Sequence, residues 1–176
     1  YTTDVGEIQN ALPRWGTLHF TGYPLYSATG SAVVTLLRPL GVPPAAGASL
    51  VSLLWSALAA GLAARVALAL GAAPVAAVAG ALVYATSRSA WVNGSIAEVH
   101  GATMAFTAGC LALALAFARR GDRRTAAWLA LAFAQGVLHM RAVLFLAPAL
   151  AVLAWPRRAA LLAAWRPIAL AALASP

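Results

Sequence analysis

Two carboxylates, Asp4 and Glu7, stand three residues apart in the stretch DVGE, and an aromatic segment from His19 to Tyr26 follows them. On a helix that spacing places both acids on one side. Such a pair can do transfer chemistry, one acid taking the proton of an attacking hydroxyl while the other orients it or holds substrate. The same spacing is also a capping box, in which Asp starts a helix and Glu three residues on completes the cap. Both roles stay open, and they are compatible, since one acid can cap while the other reacts. A second polar stretch, RSAWVNGSIAEVH over 88–100, adds Arg88, Glu98 and His100, and a third adds His139 and Arg141. Glu98 and His100 are two apart and diverge on a helix, which makes them a poor metal pair. His19, His100 and His139 are zinc-type ligands, but their spacing requires no metal. A divalent ion is compatible with these residues without being indicated, and no cofactor is expected. Arg14, Arg88 and Arg141 can each grip a phosphate or snorkel to lipid headgroups. Tyr23 and Tyr26 flank Pro24 in a turn that suits headgroup depth. Asn93-Gly94-Ser95 spells an N-glycosylation acceptor, a pattern common by chance.

The elements that must hold these groups are apolar. Hydrophobic residues make up 62% of the 176 and charged residues 9%, against about 25% charged in an average soluble domain. A soluble domain of this length lacks the interior to hide so much apolar side chain. The expected class is all-α, a polytopic transmembrane helical bundle. Residues 1–46 read as an external loop with amphipathic surface helices, and 47–176 as a bundle of about five to six spans. Within the loop, Val5, Ile8, Leu12 and Trp15 recur at helical spacing, and Pro13 should kink or end that helix. A stripe so narrow predicts a helix lying on the membrane. Residues 25–38 are apolar but shorter than the roughly 20 a span needs. Apolar stretches follow at 48–70, 75–87, 102–118, 126–138 and 142–155, with a last one from near Pro167. The single Cys110 permits no internal disulfide. All twelve basic residues are Arg, in short clusters between apolar stretches. That pattern fixes orientation in a bilayer and speaks against nucleic acid as a partner.

Charge then sets sidedness. RRGDRR (119–124) and Pro156-Arg157-Arg158 are expected in the cytoplasm. Counting spans outward puts 41–47, 88–100 and 139–141 on the other side, and 71–74 inside. With 25–38 as a surface helix, Asp4, Glu7, His19, Arg88, Glu98, His100, His139 and Arg141 share one external face. Were 25–38 a span, the N-terminal acids would move to the opposite face. The polar groups gather at one edge rather than in mid-span, which favours a surface-facing site over the conduction path of a transporter or lipid flippase.

DVGEIQNALPRWGTLHFTGYPLY resembles the opening loop of a family of multi-pass membrane proteins long filed as a domain of unknown function and related to the protein O-mannosyltransferases. That family shows Asp-x-Gly-Glu-Phe, then His-Pro-x-Gly-Tyr-Pro-Leu-Tyr. Asp4, Gly6, Glu7, His19, Gly22, Tyr23, Pro24, Leu25 and Tyr26 stand in those places. WVNGSIAEVHGATMAF is similar to its second signature through Trp91, Ala97, Glu98, Val99 and His100. Ile8 stands where Phe is usual and Phe20 where Pro is usual, and GVLHMRAVLFLAPAL follows the third segment loosely. The resemblance implies GT-C architecture and a larger protein, with a transmembrane helix ahead of Tyr1 and more spans beyond the last. It implies transfer of a sugar from a polyprenyl-phosphate carrier to a protein or glycan hydroxyl on the non-cytoplasmic face, in a bacterial inner or plasma membrane. On that resemblance Asp4 is the base and Glu7 orients it or binds acceptor. His19, Tyr23, Glu98 and His100 line the substrate pocket, and Arg88 or Arg141 steadies the leaving phosphate.

Overall fold

The computed structural model describes residues 3–19, 22–166 and 169. The described residues form helices and connecting turns, with no strand among them. The helices are α1 (Thr3–Ala11), α2 (Pro24–Leu37), α3 (Pro44–Ala69), α4 (Pro74–Thr86), α5 (Arg88–Ser95), α6 (His100–Arg120), α7 (Arg123–His139), α8 (Ala147–Ala154) and α9 (Arg158–Ala163). A 3-10 turn over Leu12–Arg14 ends α1, and Arg141–Leu146 is a 3-10 segment that leads into α8. Proline opens α2, α3 and α4. Its fixed φ is preset for a helix start, and the N–H it lacks has no partner there anyway. Asp122 caps α7, its carboxylate accepting the Thr125 N–H at 2.9 Å and the Thr125 hydroxyl at 2.7 Å.

Three helical stretches are long and apolar enough to cross a membrane: Pro44–Ala69, His100–Arg120 and Arg141–Ala163. A fourth is added if α4 and α5, bent by 63° at Ser87, count as one broken span. The count of five to six expected from the sequence also took in α7, which has 17 residues, and the segment from Pro167, which lies outside the described residues apart from residue 169. The 14-residue α2 is about 21 Å long, too short for a hydrocarbon core of about 30 Å.

α3 and α6 form the centre of the bundle. Gly101 lets them touch, because a Cβ there would sit 3.1 Å from both the Ser52 carbonyl oxygen and the Ser56 nitrogen. The N-terminal helix corrects one expectation. Val5, Ile8 and Leu12 are 0–1% exposed and belong to one core with Tyr23, Tyr26, Val34, Val51, Val99 and Phe106. The apolar stripe therefore packs down onto α2, α3 and α6 rather than onto lipid, and only Trp15, 61% exposed, faces outward. The reason is geometric: α2 folds back alongside α3 and offers the stripe a protein surface at once. Trp91, Trp128, Trp155 and Trp165 are all more than half exposed, as belt residues should be.

The bundle has two polar ends. At one, Ser52 of α3 meets Glu98, just before α6. At the other, Arg119 Nη1 donates to the Ala69 carbonyl at 3.0 Å, and Arg157 donates to the carbonyls of Ala118 and Arg119 at 3.2 and 3.3 Å. About 25 Å of helix separates Ser52 from Ala69, close to the thickness of the hydrocarbon core.

Candidate functional site

A tight turn places the site. Gly22 has φ +79° and Tyr23 φ +45°, so two successive residues take the left-handed region just before Pro24 starts α2. A side chain at positive φ costs energy and persists only where its surroundings hold it. Here they do: the Gly22 N–H donates to the His19 carbonyl at 2.7 Å, Ser27 Oγ donates to the Gly22 carbonyl at 2.8 Å, and the Tyr23 ring is 8% exposed. The turn swings His19 back over α1. The His19 backbone N–H donates to Glu7 Oε1 at 2.5 Å, and His19 Nδ1 lies 2.6 Å from Glu7 Oε2.

This contact corrects the capping-box reading. The Glu7 carboxylate reaches forward to His19, not back to the Asp4 N–H that a capping box requires. Asp4 lies in the first turn of α1, where its charge suits the helix dipole, and it is exposed. The hydrogen bond from the His19 ring is the main reason Glu7 titrates below its ordinary 4.5, and the His19 N–H adds to it. The reciprocal bond raises His19 above 6.5, with the charges of Glu7, Asp4 and Glu98 contributing. Burial, and then the same three carboxylates, push Tyr23 above 10. Asp4, Glu7, His19, Tyr23 and Glu98 thus share one electrostatic neighbourhood.

Aromatic contacts carry the site inward. His19 and Tyr23 meet edge to face at 5.6 Å, and Tyr23 meets His139 in the same way at 5.1 Å. His139, 1% exposed, donates from Nε2 to the Val99 carbonyl at 3.1 Å. Glu98, 6% exposed, is held through its backbone. Its N–H donates to Ser52 Oγ at 2.9 Å, the same hydroxyl donates to its carbonyl at 2.9 Å, and Tyr26 Oη lies 3.0 Å from Ser52 Oγ. The 97–99 turn is therefore fixed from α3 on one side and α7 on the other.

Ser52, Tyr26 and His139 do this holding, and Ser52 and Tyr26 are absent from the sequence-derived site. A signal existed: Ser49, Ser52 and Ser56 interrupt an otherwise apolar span. Buried hydroxyls in such a span need partners.

Not every expected residue joins. His100 starts α6 but faces away from Glu7, into a separate cavity with Ser87, Ser89, Asn93 and Tyr84. Glu98 sits in the irregular turn just before α6, whereas His100 is the first residue of that helix. Arg88 begins α5 and Arg141 follows His139 by two residues, both exposed. His19, His100 and His139 do not gather as a metal set, in keeping with a spacing that requires none: His139 Nε2 donates to the Val99 carbonyl, and His100 lines the separate cavity. A different trio does form. One donor atom each from Asp4, Glu7 and His19 lies within 4.8 Å of the others, close enough to share a divalent ion. A metal there would compete with the Glu7–His19 bond. Asn93 is part of α5 and donates its amide to the Ser89 carbonyl at 3.0 Å, so Asn93-Gly94-Ser95 is not the open loop a glycosylation acceptor needs. Phe20, where the family usually has Pro, lies outside the described residues.

The arrangement is an exposed carboxylate beside an ion-paired carboxylate, above a buried aromatic floor, at the end of the bundle opposite RRGDRR. It can hold a polar group at the bundle mouth and take a proton from it. No match to the chain exists among the curated proteins compared, nor among solved structures. Residues 4–162 match the family model described as the N-terminal domain of protein O-mannosyl-transferase TMEM260, and with nearly its whole length covered the chain belongs to that family.

Proposed function

We propose that this chain carries the acceptor-activating site of a GT-C-type membrane glycosyltransferase. It moves a sugar from a polyprenyl-phosphate donor to a hydroxyl of a protein or glycan on the non-cytoplasmic face. The observation that carries the reading is the Glu7–His19 pair beside Asp4, at the bundle end opposite the arginine clusters. The family description supports a mannosyl group as the sugar.

The reaction needs three things. The acceptor oxygen attacks the anomeric carbon, the bond from that carbon to the phosphate oxygen breaks, and the hydroxyl proton leaves. Asp4 takes the proton, a contribution of about 10²–10⁴ in rate. Glu7 has both oxygens engaged by His19, so it orients rather than reacts. It favours the protonated form of His19, whose ring edge stands near the acceptor. The phosphate departs with its new negative charge on the lipid carrier, and Arg141 or Arg88 at the same edge stabilises it. Glu98 and Tyr23 shape the sugar side of the pocket.

The test is transfer from a labelled polyprenyl-phosphate sugar by the full-length protein. Asp4→Asn is expected to lower kcat by about two orders of magnitude or more with little change in donor KM. Normal transfer by that variant removes Asp4 from the role of base. A carrier without chemistry would move the lipid and leave the sugar on it.

A further inference from the structure

We propose that the arginine end of the bundle is a binding surface for anionic phospholipid headgroups, assembled where RRGDRR (119–124) and Pro156-Arg157-Arg158 are clasped together. The surface stands apart from the Glu7–His19 pair and owes nothing to sugar transfer. The two clusters are far apart in the chain, and Arg157 joins them. Its Nε donates to the Ala118 carbonyl and its Nη2 to the Arg119 carbonyl. Gly121 leaves room for it, since a Cβ there would sit 3.3 Å from Arg157 Cδ. Six exposed arginines thereby share one end: Arg119, Arg120, Arg123, Arg124, Arg157 and Arg158. Asp122 is the one acid in either cluster, and both its oxygens are taken by Thr125.

These charges are not equally well placed. Arg119 and Arg120 close α6, and Arg157 reaches its last carbonyls, where cations suit the negative end of the helix dipole. Arg123 and Arg124 are the reverse. They are the first two residues of α7, which has no acid in its first turn, so two cations stand at the positive end of the dipole. Neither side chain donates a hydrogen bond to any described residue. Crowded like charges cost the folded state stability, and a local rule broken in this way is expected where function compensates it. An anion lying across Arg123, Arg124 and the arginines on the far side of the clasp removes the repulsion. A phosphodiester suits it, because guanidinium forks grip phosphate oxygens in pairs. The surrounding aromatics make that phosphate a lipid's. Trp128, Trp155 and Trp165 are all more than half exposed, as side chains at headgroup depth are. The guanidinium groups of Arg158 and Arg166 lie over the rings of Trp155 and Trp165 at 5.2 and 5.4 Å. Clusters of about four to eight basic residues at the end of a membrane helix attract anionic lipid, whereas a soluble anion gains nothing from an apolar rim.

The experiment offers full-length protein in detergent equal amounts of phosphatidylglycerol and phosphatidylcholine with matched acyl chains, and reads the lipid retained by native mass spectrometry. Phosphatidylglycerol should be retained at least about thirtyfold over phosphatidylcholine, and the Arg123→Ser, Arg124→Ser double variant should lose about tenfold of that preference. Arg14→Ser with Arg38→Ser, an equal loss of charge at exposed positions ahead of α3, should keep it. Unfolding temperature supplies the second readout. Phosphatidylglycerol should raise it in the parent protein. The Arg123, Arg124 double variant, relieved of its repulsion, should match or exceed the parent in phosphatidylcholine alone and gain less from phosphatidylglycerol. Equal retention of the two lipids would overturn the proposal, as would a preference that survives in the Arg123, Arg124 variant or falls as far in the Arg14, Arg38 one. A double variant less stable than the parent in phosphatidylcholine would contradict the repulsion that calls for an anion. Inorganic phosphate that stabilises the parent as well as phosphatidylglycerol does would assign the surface to a soluble anion and refute the lipid.

Discussion

Glu7 and His19 hold each other in the charged state, and pH sets how long they do. Glu7 is lowered from 4.5, so its contribution is present above that value and lost as pH falls through the lowered one. His19 is raised from 6.5, so its contribution is present below that value and lost as pH rises through the raised one. The pair is complete between about 4.5 and 6.5 and weakens on either side. His19→Ala removes the ring hydrogen bond that is the main cause lowering Glu7, while the backbone N–H stays. The acid-side fall in kcat/KM is then expected at higher pH than in the parent protein. A limb that stays in place would show that Glu7 does not set it and would leave it to the base, Asp4. His19 is also where the sequence was most readable: its place in the family motif marked it, although the pattern of residues could not say which acid it would meet. Asp4 and Glu7 at i and i+3 fit a capping box as well as a reactive pair. Only the turn at Gly22 and Tyr23, which depends on left-handed backbone at a non-glycine residue, decides that Glu7 turns to His19.

α1 and the 97–99 turn are the elements that hold the site in place. Ile8 is 1% exposed, and Ile8→Ala is expected to cost about 2–5 kcal/mol. In detergent this would appear as a lower unfolding temperature, together with loss of transfer as α1 lifts away. A surface helix resting only on lipid would lose far less stability. Ser52→Ala leaves the buried backbone N–H and carbonyl of Glu98 without the hydroxyl that serves both. A loss of about 1–3 kcal/mol follows, and Ser52→Thr should recover part of it. The sequence showed helix positions well, because apolar runs and helix-starting prolines are local signals. It showed the partners of those helices poorly. The Val5, Ile8 and Leu12 stripe looks the same whether it meets lipid or protein, and the choice was made by α2, folded back from a distant turn. The bend at Ser87 was hidden for a similar reason, since 88–95 is too polar to read as part of a membrane helix.

Across the whole molecule, polar chemistry is segregated to the two ends. The Glu7–His19–Glu98 group and the Arg119–Arg157 group stand at opposite ends of α3 and α6. An impermeant maleimide should therefore reach Thr17→Cys and Arg123→Cys from opposite sides of a sealed membrane. Label on both from one side would contradict a membrane-spanning α6. Sugar transfer in sealed vesicles of known orientation, carrying the full-length protein and a labelled polyprenyl-phosphate mannose, is the most direct test of a transfer site on the face opposite the arginine clusters. With an acceptor peptide supplied on one side at a time, label should join the peptide only on the side that exposes position 17. Transfer on the side of Arg123, or none on either side with active donor present, would contradict it.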